Sequence, residues 1–528
     1  MKKNKLQLFL FIFLSFLKSI IVMIIPLLSG NFIDALIKKP EAVTIYKFGL
    51  YFALLNILNL LISYFITILN AKLLCKMSYD LNKIVINKLQ HIKISYFTNK
   101  NLSYITQKVS TDSNNVVKFI LDLATNVIQN LLIVIFAIII LIRIDQEITL
   151  LIICLISIFI FIFYFTRKPI YKSTLKYKEE QALFYSKMLE QLEKIRMVKI
   201  YNLFNYYSKK FKDSFNKLYH VTLVQTKISF VFLSCENIIS MIAQISLFII
   251  GGMRIISNSM TIGMFTVLSS YFSSILVSVK YFISLSQSYI DVLVSYKRII
   301  EYLSINNEEN GDISICNLDE ITFQDTSLKL GNKQIFNKLN YKFEKNNIYC
   351  IMGENGSGKT SLINVLLGLY LSDISGMIYI NGIEYNRVDL YKTREHLLSF
   401  TSQELLFLND TINKNILLGQ KNINNDQIEY FLNGFGLTSS YFKNNNILVD
   451  EHSLNKSLSG GELQKISLIR QLINPKQLIV MDEPTSALDK KSKDFLLNEI
   501  LKLKRDRIII IVTHDKSFCK ISDYIVNL

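Results

Sequence analysis

Apolar residues crowd the first three hundred positions of this 528-residue chain and thin out afterwards. Six stretches, near 6–29, 47–70, 120–142, 148–166, 228–254 and 262–285, approach the ~20 apolar residues that a helix needs to cross about 30 Å of hydrocarbon. Polar stretches at 71–119 and 167–227 interrupt them, and in both the apolar residues recur at helical spacing, as in Met188, Leu189, Leu192, Ile195 and Met197. Stretches of this length are not simple loops; they predict helices that run out of the spans, turn and return. A helical pattern from Ser286 to Leu303 leads into the polar run Asn306 to Gly311, which marks a domain boundary. From Ile313 onward short apolar runs, among them Asn347 to Met352, Leu478 to Met481 and Ile508 to Val512, alternate with helical patterns. That alternation predicts an α/β domain with a largely parallel sheet. The expected layout is an all-α membrane domain over 1–305, a linker at 306–312 and an α/β domain over 313–528.

The net charge of +17 admits two readings, a nucleic-acid surface or a membrane topology. Thirteen Lys and Arg residues between Arg167 and Lys217, and the basic start Lys2, Lys3 and Lys5, favour topology. Positive residues collect on the cytoplasmic side of membrane proteins, so both termini and the C-terminal domain are expected there, with no nucleic-acid partner. Cys75, Cys154, Cys235, Cys316, Cys350 and Cys519 show no metal-ligand spacing and read as ordinary small core residues in a reducing or lipid environment. Abundant Lys, Asn, Ile and Phe with no Trp point to an AT-rich bacterial genome, hence to a bacterial plasma membrane.

Gly353, Glu354, Asn355, Gly356, Ser357, Gly358, Lys359 and Thr360 form a phosphate-binding loop, followed by Ser361. Its glycines let backbone N–H groups approach phosphate oxygens, and the next helix adds its N-terminal dipole. In such a loop Lys359 reaches the β- and γ-phosphates and the Thr360 hydroxyl ligates Mg²⁺. Asp482 ends an apolar strand and suits Mg²⁺ held through water; Glu483, beside it, suits a general base that polarises the attacking water. His514 follows the apolar run Ile508 to Val512 and could sense the γ-phosphate. Gln403 stands at another strand end, where a Gln by itself says little.

The order of this loop, Gln403, Leu458-Ser459-Gly460-Gly461-Glu462, Asp482-Glu483-Pro484, Asp489 and His514 resembles the nucleotide-binding domain of ATP-binding cassette (ABC) transporters over 313–528. Six spans with two long extensions ahead of it look like an exporter-type half-transporter. The implied fold is a six-helix transmembrane domain with cytoplasmic helical extensions, followed by an α/β P-loop ATPase domain of ABC type, working with ATP and Mg²⁺. The resemblance implies that Ser459, Gly460 and Gly461 contact ATP held by an opposite subunit, so that two chains, a homodimer or a heterodimer, complete two sites. It also implies that Gln403 ligates Mg²⁺ and links it to the membrane domain, and that Asp489 communicates across the dimer. Asn101 to Asp112 and Leu203 to Lys210 become either coupling helices or plain solvated connections. The chain departs from the family pattern at Leu330, where an aromatic usually stacks on adenine, and at Glu462, where Gln is common and a carboxylate would lie near the phosphates. With fourteen residues after His514, shortened C-terminal helices are expected.

Charged residues within spans are costly and usually functional. Lys18, Glu236 and Lys280, with Asn126, Gln129, Asn130 and Gln244, could line a polar cavity for a peptide-like or amphipathic cargo; alternatively Lys18 snorkels and Glu236 pairs with a lysine. No leader-peptidase module is expected ahead of the first span. The expected function is ATP-driven export of a peptide-like or amphipathic substrate by the bilayer-embedded dimer. Lipid or multidrug export, or a membrane-anchored regulatory ATPase without transport, are the alternatives.

Overall fold

The computed structural model describes residues 5–38, 41–97, 102–331, 333–354, 356–418, 425–437, 448–449 and 458–528, apart from some side chains inside helices. They form two compact units, one of residues 1–87 and 103–304, the other of 88–102 and 305–528.

The first unit is helical: α1 (Lys5–Lys38), α2 (Ala42–Gln90), α3 (Leu102–Asp122), a π turn (Leu123–Val127), α4 (Ile128–Ile144), α5 (Gln146–Glu193), α6 (Ile195–Ile200), α7 (Phe204–Ile256) and α8 (Ile262–Ser304). Among the described residues five helices are long and apolar enough to cross a membrane. The fourth expected span, 148–166, lies in α5, where several side chains are outside the described residues. The expected turns need correcting. The chain turns at 91–97, after α2, whereas residues 102–112 already belong to α3. Ile105, Val109, Asp112 and Val117 of that helix are buried while Thr106, Ser110, Thr111, Asn114 and Asn115 are exposed, so these exposed polar residues form a solvated face rather than a bend. Leu203 likewise immediately precedes α7, and the turn lies just before it, around α6.

Within this unit α1 packs on α8 and α4, and α5 runs along α7. Close approach of α1 and α8 depends on two glycines: a Cβ on Gly263 would sit 2.2 Å from the Gly30 carbonyl oxygen, and one on Gly30 would sit 2.6 Å from that of Gly263. Small residues at membrane helix contacts allow this approach. Asp34 secures the same crossing, accepting from the Thr261 hydroxyl at 2.6 Å and the Gly263 N–H at 2.8 Å.

The second unit holds β1 (Glu320–Leu330), β2 (Lys333–Glu344), β3 (Asn347–Met352), β4 (Ile374–Ile380), β5 (Ile383–Glu384), β6 (Leu398–Thr401), β7 (Asp410–Thr411), β8 (Leu448–Val449), β9 (Leu478–Asp482), β10 (Ile508–Val512) and β11 (Tyr524–Asn527). An antiparallel sheet runs β2-β1-β4-β5, and a five-stranded sheet runs β11-β3-β10-β9-β6 with every pairing parallel. Successive side chains of a strand point to opposite faces, so β10 divides between two cores. Ile508, Ile510 and Val512 enter one with Leu478 and Val480, and Ile509 and Ile511 enter the other with Ile479 and Met481. Burial on both faces is why these strands read as unbroken apolar runs. Residues of the segment 88–97 join this unit: Ile92 bridges Asn307, and the Glu308 N–H donates to the His91 carbonyl at 2.7 Å. The Glu308 carboxylate in turn receives a two-pronged contact from Arg394, at 2.6 and 3.0 Å. Of the six cysteines, Cys350 is buried, Cys235 and Cys519 are half-buried, and Cys75, Cys154 and Cys316 are exposed on the surface of the chain itself.

Candidate nucleotide site

Because the five strands are parallel, their C-terminal ends share one edge, where ligands of open α/β sheets bind. Four strands each deliver a piece of the site there: β3 the glycine loop, β6 Gln403, β9 Asp482 and Glu483, β10 His514. A pocket of about 350 Å³ is lined by Gly356, Gly358, Lys359, Thr360, Ser361, Gln403, Asp482, Glu483 and His514, joined by Lys333 and Ile335.

Backbone conformation explains the loop's composition. Gly356 and Gly358 have φ of +87° and +101°, a region that L side chains avoid. A Cβ on Gly358 would also meet Ile335 at 2.7 Å. The Lys359 ammonium folds back onto the Gly353 and Glu354 carbonyls at 2.6 and 2.9 Å, inside the loop that it closes. Asn355 lies outside the described residues.

Asp482 is 4% exposed. Burial raises its carboxyl to about 6, helped by the adjacent Glu483 charge and opposed by a hydrogen bond from Thr360 and by Lys359. Glu483 adopts φ of +48° and donates its N–H to the Val512 carbonyl at 2.8 Å, which ties it to the end of β10. Its carboxylate lies 3.8 Å from the His514 Nε2. The Glu483 carboxylate and the His514 ring thus face the same cavity as the phosphate loop. Thr360, Gln403 and Asp482 contribute a hydroxyl, an amide oxygen and one carboxylate to that cavity. This donor set fits Mg²⁺, which is usually held by one or two carboxylates together with substrate phosphates and water.

Other expected residues lie elsewhere. Leu330 does not line the pocket; it packs against the core beside β2, and Lys333 and Ile335 reach the cavity instead. Ser459, Gly460, Gly461 and Glu462 are at the start of the helix Gly460–Ile473, also outside this pocket. The Glu462 carboxylate accepts from the Ser459 N–H at 2.7 Å and its hydroxyl at 2.8 Å. It forms a capping box, so this carboxylate is engaged by its own helix. Asp489 caps the helix Lys490–Leu503 and pairs with Lys465 at 2.6 Å, a contact that holds its carboxyl well below the usual range. In the helical unit Lys18, Asn126 and Gln129 come together at one cavity, while Lys280 and Gln244 do not line it and the Glu236 side chain is outside the described residues.

Sequence reasoning missed Gln464. This buried side chain donates to the Glu483 carbonyl at 3.0 Å and the Ser486 hydroxyl at 3.1 Å, and accepts from the Ala487 N–H at 2.8 Å. Its place two residues after Glu462, on the helix that Ser459 caps, was the available signal.

A phosphate loop, strand-end carboxylates and a strand-end histidine on one sheet edge define a P-loop nucleotide site. The family model for the ABC transporter transmembrane region matches residues 8–279, and the model described as ABC transporter matches 336–486. The chain belongs to the ABC transporters. A putative export ATP-binding/permease protein of Rickettsia typhi is 31% identical over 230 residues, which cover 43% of this chain and 38% of the relative. The glutathione/L-cysteine transport system ATP-binding/permease protein CydD of Haemophilus influenzae is 28% identical over 218 residues, 40% of this chain and 36% of that protein. The chain thus spans less than two thirds of the length of these relatives. A bacterial Atm1-family ABC exporter solved with ATP bound shares the fold, with a TM-score of 0.86 at 16% identity over 99% of this chain and 94% of the other.

Proposed function

We propose that the chain is one half of a dimeric ATP-driven exporter, set in a bacterial plasma membrane with its ATPase unit in the cytoplasm, moving a peptide-like or amphipathic cargo. The observation that carries this reading is the convergence of Lys359, Thr360, Asp482, Glu483 and His514 on one cavity, in a chain whose other unit holds membrane-length helices. The cytoplasmic placement rests on the thirteen basic residues of 167–217.

Lys359 and the loop N–H groups hold the triphosphate of ATP. Thr360, Gln403 and Asp482 would hold Mg²⁺, which when bound spreads the charge of the phosphates. Glu483 accepts the proton of the attacking water, and His514, 3.8 Å away, orients that carboxylate. The dimeric reading is supported by the position of Ser459 to Gly461, which lie outside the chain's own pocket, and by the family pattern, in which a second copy supplies them across the interface.

The test is ATP-dependent uptake into inverted membrane vesicles, wild type beside Glu483→Gln, with peptides, lipids and drugs as cargo. Uptake lost in the variant supports export. ATP hydrolysis without uptake of any cargo supports a regulatory ATPase instead.

A further inference from the structure

A second cavity, about 230 Å³, opens among α1, α2 and α3 within the helical unit. Three helix faces meet there. From α1 come Phe11, Ser15 and Lys18, at spacings of four and three; from α2, Thr67, Asn70 and Leu74; and from α3 and the π turn, Lys118, Asp122 and Asn126. Spacings of three and four put residues on one helix face, so each of these helices turns polar groups to the same point in otherwise apolar surroundings. The π turn Leu123–Val127 falls in the wall and carries Thr125 and Asn126. Such single turns are frequent at functional sites.

The charges do not balance. Asp122 is the one acid among the lining residues, and its carboxylate is engaged on both oxygens, by the Asn126 amide and by the Tyr281 hydroxyl at 3.0 Å. Lys18 and Lys118 face the same cavity, and neither has an acidic partner among the described residues. Two ammonium groups against one occupied carboxylate leave one positive charge at the cavity; Lys18 lies within the first span, where an unanswered charge is costly, while Lys118 is exposed at the end of the polar stretch before the third. Phe11, Leu74 and Leu121 supply an apolar wall, and Phe65 and Ile68 continue apolar surface outward on α2.

We propose that this cavity binds the anionic head group, a carboxylate or phosphate, of an amphiphile whose apolar part remains outside it. At about 230 Å³ the space is below the 300–1,000 Å³ usual for a whole ligand and suits a head group. Lys18 and Lys118 meet the anion, while Thr67, Asn70 and Gln129 supply hydrogen bonds around it. This rests on the export reading only so far as the amphiphile is cargo; a bilayer lipid would present the same chemistry.

The test is binding of dansyl-undecanoic acid, a carboxylate amphiphile, to the full chain in phosphatidylcholine nanodiscs without ATP, beside a dansyl-labelled phosphocholine amphiphile. Because no nucleotide is present, failure of the export reading leaves this result untouched. The carboxylate probe is expected to bind at least tenfold more tightly than the zwitterionic one. Lys18→Gln and Lys118→Gln should each weaken it at least tenfold, and Lys18→Arg, which keeps the charge, should stay within threefold of wild type. Competition by phosphatidylglycerol in the nanodisc assigns the site to a lipid; no competition assigns it to an amphiphile arriving from water. Equal affinity of the two probes for the wild-type protein overturns the proposal, as does wild-type binding in both glutamine variants.

Discussion

The Gln464 side chain donates a hydrogen bond to the backbone carbonyl of Glu483 at 3.0 Å. The same amide group engages Ser486 and Ala487, and the next residue, Lys465, pairs with Asp489. Adjacent residues on one helix therefore hold both ends of the loop 483–489. At one end of that loop stands Glu483, the proposed base, with its φ of +48°. At the other stands the residue expected to work across the dimer. The helix itself begins at Ser459, so the group that serves this chain's pocket is fastened to the motif expected to serve the partner's.

Substituting Gln464→Leu removes three hydrogen bonds, at about 0.5–1.5 kcal/mol each, although the Glu483 carbonyl keeps the Ser486 N–H at 3.4 Å and Ser486 and Ala487 are exposed to water. Glu483 then keeps its N–H bond to Val512 but loses the side-chain contact that fixes its carbonyl. ATP turnover is expected to fall at least tenfold, while binding of a fluorescent ATP analogue changes less than threefold. Wild-type turnover in this variant would remove Gln464 from the positioning of the base.

His514→Ala takes away the ring 3.8 Å from the Glu483 carboxylate. Loss of a group acting with a general base costs on the order of 10²-fold in rate. Steady-state hydrolysis should drop by that order with little change in nucleotide affinity; an unchanged rate would mean that Glu483 needs no orienting partner.

Asp482, raised to about 6 from an ordinary value of 3.8, makes the nucleotide-free protein sensitive to pH. Between those values the folded chain holds a proton that the unfolded chain has released. Folded stability therefore falls as pH rises through this window, by at most about 3 kcal/mol in all. Asp482→Asn removes the effect. Thermal unfolding followed by tyrosine fluorescence should show the variant gaining on wild type from pH 4.5 to 7, whereas a difference independent of pH would contradict the burial argument.

At the α1–α8 crossing, Gly263→Leu drives a side chain into the Gly30 carbonyl, 2.2 Å from the first added carbon. Overpacking typically costs 1–3 kcal/mol, so the purified variant should unfold at a lower temperature and bind ATP as wild type does. Unaltered melting would show that the two helices separate without penalty.

The ATPase unit was legible in the sequence because its constraints are local. Gly356 and Gly358 are dictated by positive φ, and strands buried on both faces, such as Ile508–Val512, leave uninterrupted apolar runs. Turn positions were less legible. The polar face of α3 has the composition of a bend, and only the spacing of buried Ile105, Val109 and Asp112 distinguishes it. Gln464 and Lys333 were not legible as site residues, since their roles arise from contacts across 19 and more positions that the fold alone brings together. Lys118 and Asp122 were hidden for another reason: they fall four residues apart on either side of the boundary between a polar stretch and an apolar span, and take their meaning from Lys18 on a different helix.

The most direct measurement is ATP hydrolysis by the purified chain in lipid nanodiscs, wild type beside Glu483→Gln, with nucleotide occupancy followed in parallel. Turnover in the wild type, its loss by at least about 10²-fold in the variant, and ATP retained by that variant are the expected results. Hydrolysis at the wild-type rate by Glu483→Gln would contradict the assignment of the base.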